Sequence, residues 1–187
     1  MKKIILAITL LASISASAQT KFFTKKGKVS FDATAANSPE QIRAINENAI
    51  SVIDVSSGAM EFMVSMTAFN FEKALMQEHF NENYVESEKF PKANFKGTIT
   101  NMKEVNLAKD GTYPVTVKGN MTLHGVTKEV TATGSLTTKG GAIVSGKSEF
   151  KVVFSDFKID IPKVVTDKLA TEGKIKVDVN YEPVVSK

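Results

Sequence analysis

Val115-Thr-Val-Lys-Gly-Asn-Met-Thr-Leu-His-Gly-Val-Thr-Lys-Glu-Val-Thr-Ala-Thr-Gly-Ser-Leu136 decides the fold. Up to the His-Gly pair, the odd positions Val115, Val117, Gly119, Met121 and Leu123 are apolar or small, and their even neighbours are polar. Beyond it the parity switches, so that Val126, Val130, Ala132, Gly134 and Leu136 carry the apolar face. A two-residue turn at His124-Gly125 sets Leu123 against Val126 and puts both apolar sets on one side, which is what a tight β-hairpin requires. Lys128 is the one charge on the apolar face, close to the turn.

Alternation extends outward on both sides. Lys21 to Lys28 reads as a short opening segment closed by a Lys-Lys-Gly turn, and Lys28 to Ala35 as a half-buried strand with Val29, Phe31 and Ala33 inward. Pro39 marks a helix start, with Gln41 to Asn48 as a short helical piece. Ala49 to Val55 and Ala59 to Thr67 form a second hairpin about Ser56-Ser57-Gly58, with Met60, Phe62, Val64 and Met66 on one face. One helix is expected near residues 72–81, capped by Asn70 and turning Leu75, Met76, His79 and Phe80 to the core. Glu82 to Pro91 is a polar connection. Strands follow at Asn94 to Lys103, at Ala142 to Phe154 with Val144, Gly146, Phe150 and Val152 inward, and at Lys174 to Tyr181 with Val177 inward. Asp156 to Thr171 is a longer connection. About eight strands, one helix and no βαβ rhythm imply a meandering antiparallel barrel or sandwich.

Residues 1–18 stand apart. Met1-Lys2-Lys3, the apolar run Ile4 to Leu11 and Ala16-Ser17-Ala18 read as a secretory signal peptide cleaved near Ala18-Gln19, leaving residues 19–187 as one domain without stable membrane insertion. The expected location is the periplasm or the exterior. Lys2 and Lys3 leave with the signal, so 22 bases remain against 20 acids and the charge falls from +4 to +2. The lysines are scattered along the strands, which gives no footprint for nucleic acid. With no Cys, no disulfide forms and an ordinary core must hold the fold.

Catalytic signals are scarce. There is no Cys and no Gly-x-Ser-x-Gly elbow. His124 is assigned a turn role, bonding nearby backbone. His79 with Glu82 has helical ligand spacing but no third ligand, so no metal site is expected. Glu86, Glu88, Asp156 and Asp160 read as a solvated rim. Neither a cofactor nor an enzymatic activity is expected.

Binding has more support. Phe31, Phe62, Val64, Met66, Phe95, Val117, Met121, Val130, Ala132, Val144, Phe150, Val152 and Val177 are the inward candidates. Gly97, Gly119, Gly134 and Gly146 share their parity. These glycines either leave interior volume for a ligand or let the strands bend. An apolar tunnel would hold a hydrocarbon chain through burial alone, at about 25 cal/mol per Å². The alternative is a structural or stress-response barrel with a filled core. An enzyme acting on a lipid or quinone ranks last.

Val117 to Lys128, with Met121-Thr-Leu-His-Gly-Val-Thr-Lys128 at its centre, resembles the signature of the YceI-like family. Leu75 to Phe80, Glu88 to Gly97, Phe154 to Phe157 and the Lys174 to Tyr181 strand fit the same pattern, so the resemblance covers roughly residues 60–182. It implies an all-β, lipocalin-like barrel of roughly eight antiparallel strands, export to the periplasm, and a polyisoprenoid, isoprenoid quinone or similar lipid held inside for storage or transport. It also implies pairing into a homodimer. Lys128 becomes the candidate head-group contact at one barrel end, with that end either the mouth or the closed floor. The chain departs from the family at Val29 to Ala36, which lacks the usual His, and it has no Trp.

Overall fold

The computed structural model describes residues 20–184. The signal-peptide reading falls outside the described residues. Among the described residues ten strands are present: β1 (Lys21–Thr34), β2 (Arg43–Asp54), β3 (Ala59–Ser65), β4 (Asn70–Phe71), β5 (Lys92–Ile99), β6 (Gly111–Leu123), β7 (Val126–Lys139), β8 (Ala142–Val153), β9 (Leu169–Asn180) and β10 (Glu182–Pro183). Eight of them form an antiparallel meander. β1, β2, β3, β5, β6, β7, β8 and β9 pair in sequence, and β9 returns to β1 to close the barrel. The two-residue β4 and β10 attach to β2 and β1.

The hairpin at the centre of the sequence has the expected register, from Leu123↔Val126 through Met121↔Lys128 and Val117↔Ala132 to Gly111↔Thr138. His124 (φ 50°) and Gly125 (φ 71°) both adopt left-handed backbone, the conformation a two-residue turn needs to follow strand twist. A Cβ on Gly125 would lie 2.5 Å from the Phe90 ring, so glycine is required by packing as well as by φ.

Several segments depart from the sequence reading. Lys25-Lys26-Gly27 is not a turn. It lies within β1 as a bulge, where the Lys26 N–H donates to Thr24 Oγ1 at 3.2 Å and Gly27 packs against Ala49 and Val179. Gln41 to Asn48 is not helical, because Arg43 onward belongs to β2. Asn46 hid it by placing a polar residue on the inward parity. Fully buried, its Nδ2 donates to Ser65 O and its Oδ1 accepts from the Asn48 N–H, both at 2.8 Å. The helix, α1, is short (Ala74–His79) and runs into a wider π turn over Phe80–Tyr84. Asn70 does not cap it, being paired with Ile45 in β4. The widened turn buries Phe80 and Val85, while Leu75 and His79 face solvent.

The barrel interior holds two packed regions. At one end Phe22, Ile53, Ile99, Val105, Val115, Leu136, Ile143, Val179 and Tyr181 form a filled core. Within it the Ser51 and Tyr181 hydroxyls bond at 2.8 Å, joining β2 to the end of β9 across the interior. Burial pushes the Tyr181 hydroxyl up to about 12, against the opposing effect of the Ser51 bond. The other end, where the His124 turn lies, is lined by Phe31, Met66, Phe69, Phe80, Phe154 and Phe157. Two connections cover that end: residues 66–91, carrying α1, and residues 154–168, which include the 3-10 turn Phe154–Phe157.

Candidate functional site

Between these coverings and the filled core lies an apolar cavity of about 630 Å³. That is far more than a packing defect, since protein interiors rarely leave voids larger than a water molecule. It falls within the roughly 300–1,000 Å³ range of ligand pockets. Its wall is built by alternation: Phe31 on β1, Phe62 and Val64 on β3, Phe95 on β5, Val117 and Met121 on β6, Val130 and Ala132 on β7, Phe150 and Val152 on β8, and Val177 on β9. Met66 joins them from the turn after β3.

The other expected wall residues lie elsewhere. Gly97 and Gly119 face each other across β5 and β6, and a Cβ on Gly119 would come within 2.4 Å of Gly97 Cα and Lys96 O. A Cβ on Gly134 would meet Lys147 O at 2.4 Å, while one on Gly146 would meet Leu136, Val179 and Tyr181. These glycines permit close strand approach and leave no ligand volume. Val144 is displaced by a bulge between Thr137↔Ser145 and Thr138↔Ile143, which turns Ile143 inward to full burial in the filled core.

Alternation could not disclose the coverings. Phe69, Phe71, Met76, Phe80, Tyr84 and Val85 line the cavity from the first covering, and Phe154, Phe157, Ile159, Ile161 and Val165 from the second. Phe31 is their hub, with ring centroids 5.7 Å from Phe80 and 6.3 Å from each of Phe69, Phe71 and Phe154. The available signal was apolar density in stretches read as connections, above all Ile159-Asp-Ile161.

His124 ties both coverings to the hairpin. Its Nδ1 lies 3.0 Å from Phe157 O, its Nε2 lies 2.7 Å from Glu86 Oε2, and its ring meets Phe90 edge-on at 4.8 Å. A carbonyl and a carboxylate are both acceptors. Making both bonds at once therefore needs a hydrogen on each ring nitrogen, or on the Glu86 carboxyl at the Nε2 contact. His124 keeps its place in the turn, but its ring makes long-range bonds instead of bonding nearby backbone, and Glu86, still half-exposed, is one of its partners. Lys128 reaches the cavity wall half-exposed, its Nζ 3.9 Å from Asp156 Oδ1. His79 accepts no metal partner in Glu82; its Nδ1 instead lies 2.9 Å from Asn83 Nδ2. Among the described residues no group of three or more His, Cys, Asp or Glu side chains is placed to hold a metal ion.

The YceI-like domain model matches residues 8–181. The chain belongs to the YceI-like family. No curated protein matches it. Among solved structures, a polyisoprenoid binding domain from Saccharophagus degradans implicated in plant cell wall breakdown aligns with TM-score 0.72 at 10% identity, covering 88% of this chain and 99% of the other. Burkholderia cenocepacia BcnA aligns with TM-score 0.64 at 15% identity, covering 84% and 96%. At these identities the likeness bears on the fold, and it agrees with the lipocalin-like barrel described above.

Proposed function

We propose that this YceI-like protein is an exported binding protein that holds a polyisoprenoid, an isoprenoid quinone or a similar lipid in its barrel cavity, for storage or transport in the periplasm or outside the cell. The observation that carries this reading is the apolar cavity at the His124 end, walled by Phe, Met, Val and Ile side chains from seven strands and both coverings. Such a wall recognises a hydrocarbon chain by area alone, and its methionines adapt to an irregular tail. The similarity to a polyisoprenoid binding domain supports the ligand class. A barrel with a filled core accounts for the Tyr181 end only.

The test is organic extraction of folded protein made in its native host, followed by mass spectrometry. The expected result is about one isoprenoid-type lipid per chain. Folded protein that yields no stoichiometric lipid would overturn the reading. Export is checked separately, by N-terminal sequencing of the protein recovered from the host, with cleavage expected after Ala18.

A further inference from the structure

β7 pairs with β6 along nearly its whole length, yet its pairing with β8 ends at Gly134↔Ser148. Below that point Val126–Thr133 and Glu149–Val153 continue as strands held by β6 and β9 alone. The two backbones have thus parted in the barrel wall. Thr133 O accepts a 2.7 Å bond from Ser148 Oγ, so it faces β8; Lys147 O in turn faces β7, 2.4 Å from where a Gly134 Cβ would be. By the two-residue period, the N–H and C=O groups of Glu129 and Thr131 point into the gap from one side, and those of Lys151 and Val153 from the other. The cavity wall agrees. On β7 it takes in Lys128 to Ala132 without a break, and on β8 Phe150 to Val153, residues of both parities. On β5, which is paired on both sides, one lining residue, Asn94, breaks the single parity, whereas along this gap Glu129, Thr131, Lys151 and Val153 all break it. The far end of the gap is closed by the Lys128–Asp156 ion pair and by the bond of His124 to Phe157 O.

We propose that the hydrophobic ligand enters and leaves sideways through this β7–β8 window, and that its polar head stays there, held by Lys128 and the free backbone N–H groups of the two strand edges. The proposal rests on the binding reading above. It follows from where the barrel is shut as much as from where it is open. The Tyr181 end is packed solid, and the opposite end is covered by two segments that His124 bonds to the same hairpin. At the window, no covering needs to lift. An apolar tail slides between strand edges, while a hydrogen-bonding or anionic head satisfies backbone groups otherwise left to water.

The chain has no cysteine, so introduced pairs can be stapled cleanly. One variant carries Thr131→Cys and Lys151→Cys across the window. The other carries Lys89→Cys and Lys158→Cys, next to the residues His124 touches on the two coverings. Each is joined with a bis-maleimide, and stapling is verified by mass and folding by circular dichroism. The probe is retinol, an isoprenoid alcohol whose fluorescence rises in an apolar site, followed by stopped flow. Retinol association and dissociation are expected to slow at least tenfold with the window staple and to change less than twofold with the covering staple. Unchanged rates with the window staple, or equal slowing by the covering staple, overturn the portal while leaving binding intact. Absence of retinol binding by the unmodified protein overturns the binding reading and the portal together. A third variant tests the head without any staple. Lys128→Met is expected to weaken retinoic acid about tenfold relative to retinol, and an unchanged ratio removes the head from the window.

Discussion

At the scale of single residues, His124 and Tyr181 carry the two ends of the barrel. His124→Asn isolates the latch from the turn, because asparagine tolerates left-handed backbone but cannot span to both Glu86 and Phe157. The two bonds are partly exposed, and their loss is expected to cost about 1–3 kcal/mol in urea unfolding. Hydrogen exchange should quicken selectively in residues 80–90 and 154–161. Unaltered protection there would mean that the ring serves the turn alone. Tyr181 gives a prediction with a definite sign. Its hydroxyl is raised to about 12 in the folded barrel by burial. An unfolded tyrosine titrates near about 10, so the unfolded chain binds fewer protons between these values and stability falls as pH rises. The contribution is whole below about pH 10 and is lost toward pH 12, on the order of 2–3 kcal/mol. Alkaline unfolding should therefore coincide with late tyrosinate absorbance. Tyr181→Phe should remove that late component, whereas its persistence in the variant would assign it to another tyrosine.

At the scale of elements, the glycines separate strand geometry from cavity space. Gly119→Ala forces a Cβ against the backbone of β5, at 2.4 Å from Gly97 Cα and Lys96 O, and neither can move without shifting a strand. The expected cost is about 2–3 kcal/mol. Gly146→Ala meets only side-chain ends, at 3.2–3.3 Å, and should cost about 1 kcal/mol or less. Thermal unfolding of the two variants side by side checks the order, and equal losses would contradict it. The same elements show what could be read from sequence. The β6–β7 hairpin was legible because strict alternation, one parity switch and a His-Gly turn agree. The second half of β2 was read correctly as one arm of the hairpin with β3, but its first half was not, because buried Asn46 breaks the apolar pattern and only the Ser65 carbonyl across the chain explains it. Val144 was misplaced because a bulge inserts one residue beside it, so the period-two count that holds from Gly146 through Phe150 and Val152 fails on the far side of the bulge, where Ile143 turns inward. The β7–β8 window left no trace for a related reason: a strand keeps its alternation whether or not its neighbour is paired. His124 could be picked out, but its partners lie 33 and 38 residues away and follow only from the closed fold.

At the scale of the whole molecule, one barrel is divided into a packed half that supplies stability and an emptied half that gives some up. The division makes a prediction that neither half makes alone. Ala132 faces the cavity from β7, directly paired with Val117 on β6. Ala132→Phe places a ring in open apolar space without touching the filled core. Burying it removes apolar area from water at about 25 cal/mol per Å², so the ligand-free protein should gain about 1–2 kcal/mol. The same ring occupies volume that a chain-like ligand needs, so retinol affinity should fall at least tenfold. A matched change in the packed half, Leu136→Ala, should do the reverse. It should cost about 2–5 kcal/mol through the hole it leaves while barely moving affinity. Opposite signs in the two assays, stability up with binding down in one half and stability down with binding kept in the other, are the signature of a barrel whose cavity is maintained at the expense of packing. If Ala132→Phe destabilises the protein as Leu136→Ala does, the space beside Ala132 is already filled by neighbouring side chains in solution, and the cavity is not what sets apart the His124 end.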